Sequence, residues 1–179
     1  LLDLQAVSSG DPEAIRMAEE SNKRIRSMAL VHEKLYEAKE FSRINLGNYM
    51  RDLSAELSQS YKIDPQRIAL SIRAEKEVFL NMDRAVPCGL VLSELFSNAC
   101  KHAFPGDRRG EIKVVIDKSP AEEIEIVVRD NGIGLPGKTD PQQPRTVGLY
   151  LVRGLVKNQL GGQLETRVEN GTEFRIRFR

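Results

Sequence analysis

Apolar positions follow two different periods along the chain, and the change comes near residue 42. Before it, Ile15, Ala18, Ile25, Ala29, His32 and Tyr36 keep near-heptad spacing, supported by Met28 and Leu35. That spacing predicts one long helix over residues 12–39 with an apolar seam. Ser9-Gly10-Asp11-Pro12-Glu13 reads as the turn that leads into it. Asp11 can cap, Pro12 suits the first helical position and Glu13 suits the helix dipole. Leu1-Leu2-Asp3-Leu4-Gln5 reads as the tail of an earlier amphipathic helix. A single pair of helices cannot bury such a seam, so the pattern predicts a four-helix bundle built by two chains.

From residue 43 onward helices and strands interleave. Residues 45–61 read as a helix with Leu46, Tyr49, Met50, Leu53 and Leu57 on one face. Strands are expected at 67–74, 78–81, 111–117, 123–130, 163–168 and 173–179. Helices are expected at 84–103 and 146–160, the second stopped by Gly161-Gly162. The last strand sets Phe174, Ile176 and Phe178 against Arg175, Arg177 and Arg179. One face packs on helices and the other meets water, the pattern of an α+β fold built as a two-layer α/β sandwich. The chain therefore divides into residues 1–42 and 43–179. The arginine row reads as a solvated sheet face and not as a nucleic-acid surface.

Three places depart from simple patterning. On the helix at 84–103, Glu94, Asn98 and Lys101 fall within an arc of roughly 60° and span about 10 Å. Leu92, Leu95, Phe96 and Ala99 occupy the adjoining core face. Such a stripe is either a solvated face or a ladder of metal and phosphate ligand types. Asp130 shares the parity of Ile124, Ile126 and Val128, so it points coreward at a strand end, where a carboxylate needs a partner. Asn131-Gly132-Ile133-Gly134-Leu135-Pro136-Gly137 follows. It is either a β-turn or a segment whose glycines let backbone approach a ligand. Thr146-Val147-Gly148-Leu149 opens the next helix, with Arg145 just before it. Thr146 can act as a plain cap, or the free N–H groups can receive an anion. Asn170-Gly171-Thr172 reads as a tight turn between strands.

Composition narrows the class. The 179 residues are 40% hydrophobic and 30% charged with net charge +1, enough for a core and without polyelectrolyte character. No apolar run approaches the ~20 residues that span a bilayer. With no signal peptide apparent, a cytoplasmic location without membrane contact is expected. Cys88 and Cys100, about 18 Å apart on one helix, cannot form a disulfide and fit a reducing compartment. No Cys-x-x-Cys spacing supports a metal site, and no Gly-x-x-x-x-Gly-Lys-Ser/Thr indicates a P-loop.

The special elements, in this order, resemble the catalytic part of the sensor histidine kinases of two-component systems. Glu94-x-x-x-Asn98-x-x-Lys101-His102 is similar to their N box. Asp130-Asn131-Gly132-Ile133-Gly134 is similar to the G1 box, Thr146-Val147-Gly148-Leu149 to the G2 box, and Gly171-Thr172 to the last glycine box. The runs 28–36, 86–90 (Val-Pro-Cys-Gly-Leu) and 101–105 (Lys-His-Ala-Phe-Pro) resemble the subfamily with the second type of dimerisation and phosphoacceptor domain. The likeness spans essentially the whole chain. The G2 box holds one glycine where Gly-x-Gly-Leu-Gly is usual, as in that subfamily, whose lid is short.

The resemblance implies a Bergerat or GHKL-type ATP-binding fold at 43–179. A partial helical hairpin for dimerisation precedes it at 1–42. It implies ATP or ADP with Mg²⁺ as cofactors, and transfer of the γ-phosphoryl group to a histidine for relay to a response regulator receiver domain. Asn98 is implied to offer its amide oxygen to Mg²⁺. Glu94 lies near the metal or polarises water or the acceptor. Lys101 and His102 meet phosphate oxygens. Asp130 accepts from the adenine amino group, and Thr172 lines the adenine pocket. Gly132, Gly134 and Leu135 close over the nucleotide, Gly148 N–H and Leu149 lie at the phosphates, and residues 135–147 form a lid. A homodimer through the helical segment is implied too.

The family places its phosphoacceptor histidine on the first bundle helix, which the resemblance puts upstream of Leu1. His32 reads as a packing or hydrogen-bonding residue within the seam, and His102 belongs to the N box. Autophosphorylation of this stretch alone is therefore not expected. Two other readings stand beside the kinase. One is a related GHKL ATPase or serine kinase; the other is a non-catalytic dimerisation module that keeps a nucleotide pocket.

Overall fold

The computed structural model describes residues 12–37, 43–135 and 146–179. The helix tail expected at 1–5, residues 9–11 of the turn expected at 9–13, the last two residues of the helix expected at 12–39, most of the expected lid and Arg145 lie outside the described residues.

Helix α1 (Pro12–Glu37) forms as its spacing predicts. It packs on the next two helices, α2 (Leu46–Ser60) and α3 (Met82–Asn98). This chain covers part of the expected seam and leaves part of it exposed. Val31 and Leu35, four residues apart, are fully enclosed, and Ala18 is buried. His32 and Ala29 are exposed, and Ile25 keeps 54% of its surface. His32 is thus not a packing residue of this chain's core. The helix carries two neighbouring apolar stripes, and periodicity alone does not say which one the rest of the chain covers.

Two of these helices start on side-chain caps. Asn45 Oδ1 accepts from Asn48 N (3.0 Å) and Asn81 Oδ1 from Arg84 N (3.2 Å). Gly89 lets α2 and α3 approach closely: a Cβ there would fall 1.8 Å from the Tyr49 hydroxyl. Burial pushes the ionisation of that hydroxyl upward from its ordinary value. The sequence 86–90 thus owes its glycine to a packing contact.

Five strands make the sheet, in the order β2-β4-β5-β7-β6. They are β2 (Ile68–Ala74), β4 (Gly110–Lys118), β5 (Ile124–Asp130), β6 (Gln163–Val168) and β7 (Thr172–Phe178). The β2–β4 pair is parallel, joined through α3, and the others are antiparallel. A two-residue ribbon, β1 (Ile44–Asn45) with β3 (Phe79–Leu80), fastens the start of α2. Helix α4 (Val147–Gly154) lies beside α3.

Alternation decides the layers. Ile112, Val114 and Ile116 of β4 are fully buried, with Ile124, Ile126 and Val128 of β5 and Phe174, Ile176 and Phe178 of β7 beside them. Each such side chain contributes about 1.5–3 kcal/mol on leaving water. The opposite face carries the arginines in ion pairs. Arg177 reaches Glu125 (2.7 Å) and Glu165 (2.9 Å), and Arg175 reaches Glu173 (3.1 Å). The acidic neighbours offset two of the three arginines that stood out in the sequence. Among the described residues no helix is long and apolar enough to cross a membrane. Cys88 and Cys100 are both unpaired, and burial pushes both thiols up to about 12.

Candidate functional site

The inward face of the sheet changes character at one end. The register aligns Ile112 of β4, Asp130 of β5 and Thr172 of β7 in one row. Asp130 is 8% exposed. Its Oδ1 accepts from the backbone N–H groups of Gly132 (2.9 Å) and Thr172 (3.3 Å). Both donors converge on one oxygen, and Oδ2 carries no hydrogen bond among the described residues. A carboxylate that the sequence places coreward is thus fixed from below and offers one acceptor forward.

In front of it lies a cavity of about 180 Å³, roughly ten times the room one water needs. Its walls are mostly apolar, with Leu95, Ala99, Ile112, Val128 and Phe174 among them. Asp130, Thr172, Asn98 and His102 bring polar groups to its rim, and Thr146 and Leu149 close the side at α4. Apolar walls with few convergent polar groups suit a flat organic ring.

Of the residues singled out in the sequence, Asn98, His102, Asp130, Gly134, Leu135, Leu149 and Thr172 border this one cavity. Glu94, Lys101, Gly132 and Gly148 do not. The Glu-Asn-Lys ladder is graded: Glu94 is buried, Asn98 half-buried and Lys101 exposed. A purely solvated stripe would not bury its acid. Sequence reasoning missed Ile112, Val128 and Phe174, which read as ordinary core. Strand alternation carries no mark that part of an inward face lines a cavity.

Local structure sets these positions. Helix α3 ends in a π-helical turn over Ala99–Ala103, which carries Lys101 and His102. Such turns widen the helix and occur often at functional sites. The carbonyl of Ala103, at the end of that turn, accepts from Ile133 N (3.0 Å). Gly132 lies so close that a Cβ would sit 2.3 Å from that carbonyl oxygen. Gly132→Ala is therefore expected to lower stability by about 1–3 kcal/mol and to displace the turn after β5. A denaturant titration alongside nucleotide binding checks both; a variant unchanged in each would remove this packing account. On the far side, Thr146 Oγ1 accepts from Leu149 N (3.3 Å), so Thr146 caps α4 while lining the cavity. Gly171, at φ +119°, passes beneath β5, where a Cβ would meet Asp130 O at 2.0 Å.

Comparison with known proteins settles the family. A family model for histidine kinases matches residues 1–61. A second, for the histidine kinase-, DNA gyrase B- and HSP90-like ATPases, matches residues 84–179. This chain belongs to the histidine kinase family. The sensor histidine kinase PdtaS of Mycobacterium tuberculosis is 33% identical over 99% of this chain. The blue-light-activated histidine kinase 2 of Erythrobacter litoralis is 30% identical over 74% of it. The chain spans about a third of the length of these curated relatives, 35% and 38% respectively. Among solved structures, the histidine kinase domain of the Erythrobacter litoralis blue-light activated kinase superposes with a TM-score of 0.74. It shares 24% identity and covers 88% of this chain and 73% of its own. The histidine kinase ThkA, solved in complex with the response regulator TrrA, shares the fold at a TM-score of 0.58. It is 21% identical, with 94% of this chain and 52% of that one covered. The mixed α/β fold expected from the sequence, with its helical segment in front, is the one this kinase has.

Proposed function

We propose that this chain is the ATP-binding catalytic portion of a sensor histidine kinase. Residues 43–179 form the catalytic domain, and residues 1–42 belong to a dimerisation and phosphoacceptor bundle completed by a second copy. The observation that carries the reading is Asp130, a buried carboxylate on the cavity's lining whose Oδ1 is fixed by two backbone N–H groups.

In this reading the adenine amino group donates to Asp130 Oδ2 and the base lies between the apolar walls. Gly134 and Leu135 border the base, and Thr172 stands beside it. The phosphates extend toward Lys101, His102, Gly148 and Leu149, where the exposed end of α3 meets the start of α4.

Among the described residues no three His, Cys, Asp or Glu side chains gather as a metal site. A magnesium ion bound here would draw on Asn98 for an amide oxygen, with Glu94 one turn behind it, and on phosphates and water for the rest of its shell. Bound there, the ion would offset phosphate charge during transfer. Asn98 also orients the phosphates, and Lys101 draws charge from their oxygens. The γ-phosphoryl group then passes to a histidine of the bundle and on to a response regulator. The ThkA complex with TrrA supports that sequence of partners.

The resemblance puts the acceptor on the helix before α1, and His32 stands on α1 itself. The test is incubation with magnesium, γ-labelled ATP and a bundle segment of the mycobacterial relative that includes its first helix. Acid-labile, base-stable label should appear on the supplied segment and not on this chain. Label on this chain that is lost in His32→Gln would make α1 the acceptor helix. Nucleotide binding with no label anywhere would favour the non-catalytic binding module.

A further inference from the structure

We propose that Arg108 is a positioning residue for the adenine end of the site, acting through the peptide group that holds Asp130. The proposal rests on the reading that Asp130 receives the adenine amino group. Arg108 itself does not border the cavity, so it has no direct path to the base.

The geometry is specific. Arg108 Nη2 donates to the carbonyl of Asn131 (3.1 Å) and lies 3.4 Å from that of Gly132. The Asn131 carbonyl and the Gly132 N–H belong to one peptide group. That N–H is the shorter of the two bonds fixing Asp130 Oδ1. A trans peptide is rigid and planar, so a grip on its oxygen sets the direction of its N–H. A cation on the oxygen also strengthens the N–H as a donor. Arg108 thus orients the carboxylate from behind, one planar unit away.

Arg108 is held in turn. Arg67 Nε donates to Arg108 O (3.3 Å) and its Nη2 to Phe104 O (2.8 Å), while Gly110 N donates to Arg67 O (3.0 Å). The loop leaving α3 is therefore tied to the start of β2. Asn131 is pinned separately, its Oδ1 accepting from Glu111 N (2.7 Å). With that second tie in place, losing Arg108 releases the peptide's tilt without freeing the whole turn.

The test compares ATP with purine riboside triphosphate, which differs only in lacking the 6-amino group. Competition against a fluorescent nucleotide is measured for the full chain, Arg108→Ala and Arg108→Lys, with a denaturation midpoint for each. Arg108→Ala should bind ATP about fivefold more weakly, the worth of one modest hydrogen bond. Its affinity for the analogue should stay near that of wild type, so the preference for ATP shrinks. Arg108→Lys, which keeps the charge, should recover part of that preference. An unchanged ATP-to-analogue ratio in both variants, including equal weakening of both nucleotides, would overturn the proposal. A wild-type chain that binds the two nucleotides equally would instead remove the adenine reading, and this proposal with it.

Discussion

Asp130→Asn should bind ATP about a hundredfold more weakly than the wild type while keeping its fold. The substitution changes no volume. Its single oxygen is required by the Gly132 and Thr172 N–H groups that Oδ1 now serves. The new NH₂ must then face the cavity, where it meets the adenine amino group donor to donor. Asp130→Ala should lose binding to a similar extent, with some loss of stability because those two N–H groups are left unpaired. Calorimetry on folded protein checks both. Wild-type affinity in the asparagine variant would remove Asp130 from the base site.

The second large effect is expected at Asn98. It borders the cavity from the last turn of α3, above buried Glu94 and before exposed Lys101. Asn98→Ala removes the neutral oxygen proposed as a magnesium ligand without opening the core, since the residue is only half-buried. Magnesium should no longer strengthen ATP binding, and transfer to a supplied acceptor should fall about a hundredfold or more. Binding measured with magnesium and with a chelator separates the two states. If the magnesium dependence survives unchanged in the variant, the stripe from Glu94 to Lys101 has no metal role.

Much of this was legible because the site breaks rules that the rest of the chain obeys. Asp130 stood out as a carboxylate on the parity of Ile126 and Val128, and the structure gives it the two backbone donors that a buried acid needs. The Asn170-Gly171 turn was legible for a similar reason: φ is positive at both residues, and few others adopt it cheaply. Three features left no trace. The π-helical turn at Ala99–Ala103 arises from a change of hydrogen-bond partner that no side-chain period records. The side of α1 that this chain itself covers left none either: Ala18 and Leu35 of the expected seam are buried together with Val31, while Ile25, Ala29 and His32 stay exposed. Arg108 was invisible because its partners are carbonyls, which every residue has.

The claim on which everything else depends is that nucleotide enters the cavity between α3 and the Asp130 end of the sheet. Backbone amide shifts of the isotopically labelled chain, recorded as magnesium and ADP are added, test it directly. The largest changes should fall at residues 98–103, 130–135, 148–149 and 172, with the face of Arg175 and Arg177 unmoved. Changes centred on that arginine face, or none at saturating nucleotide, would contradict the account.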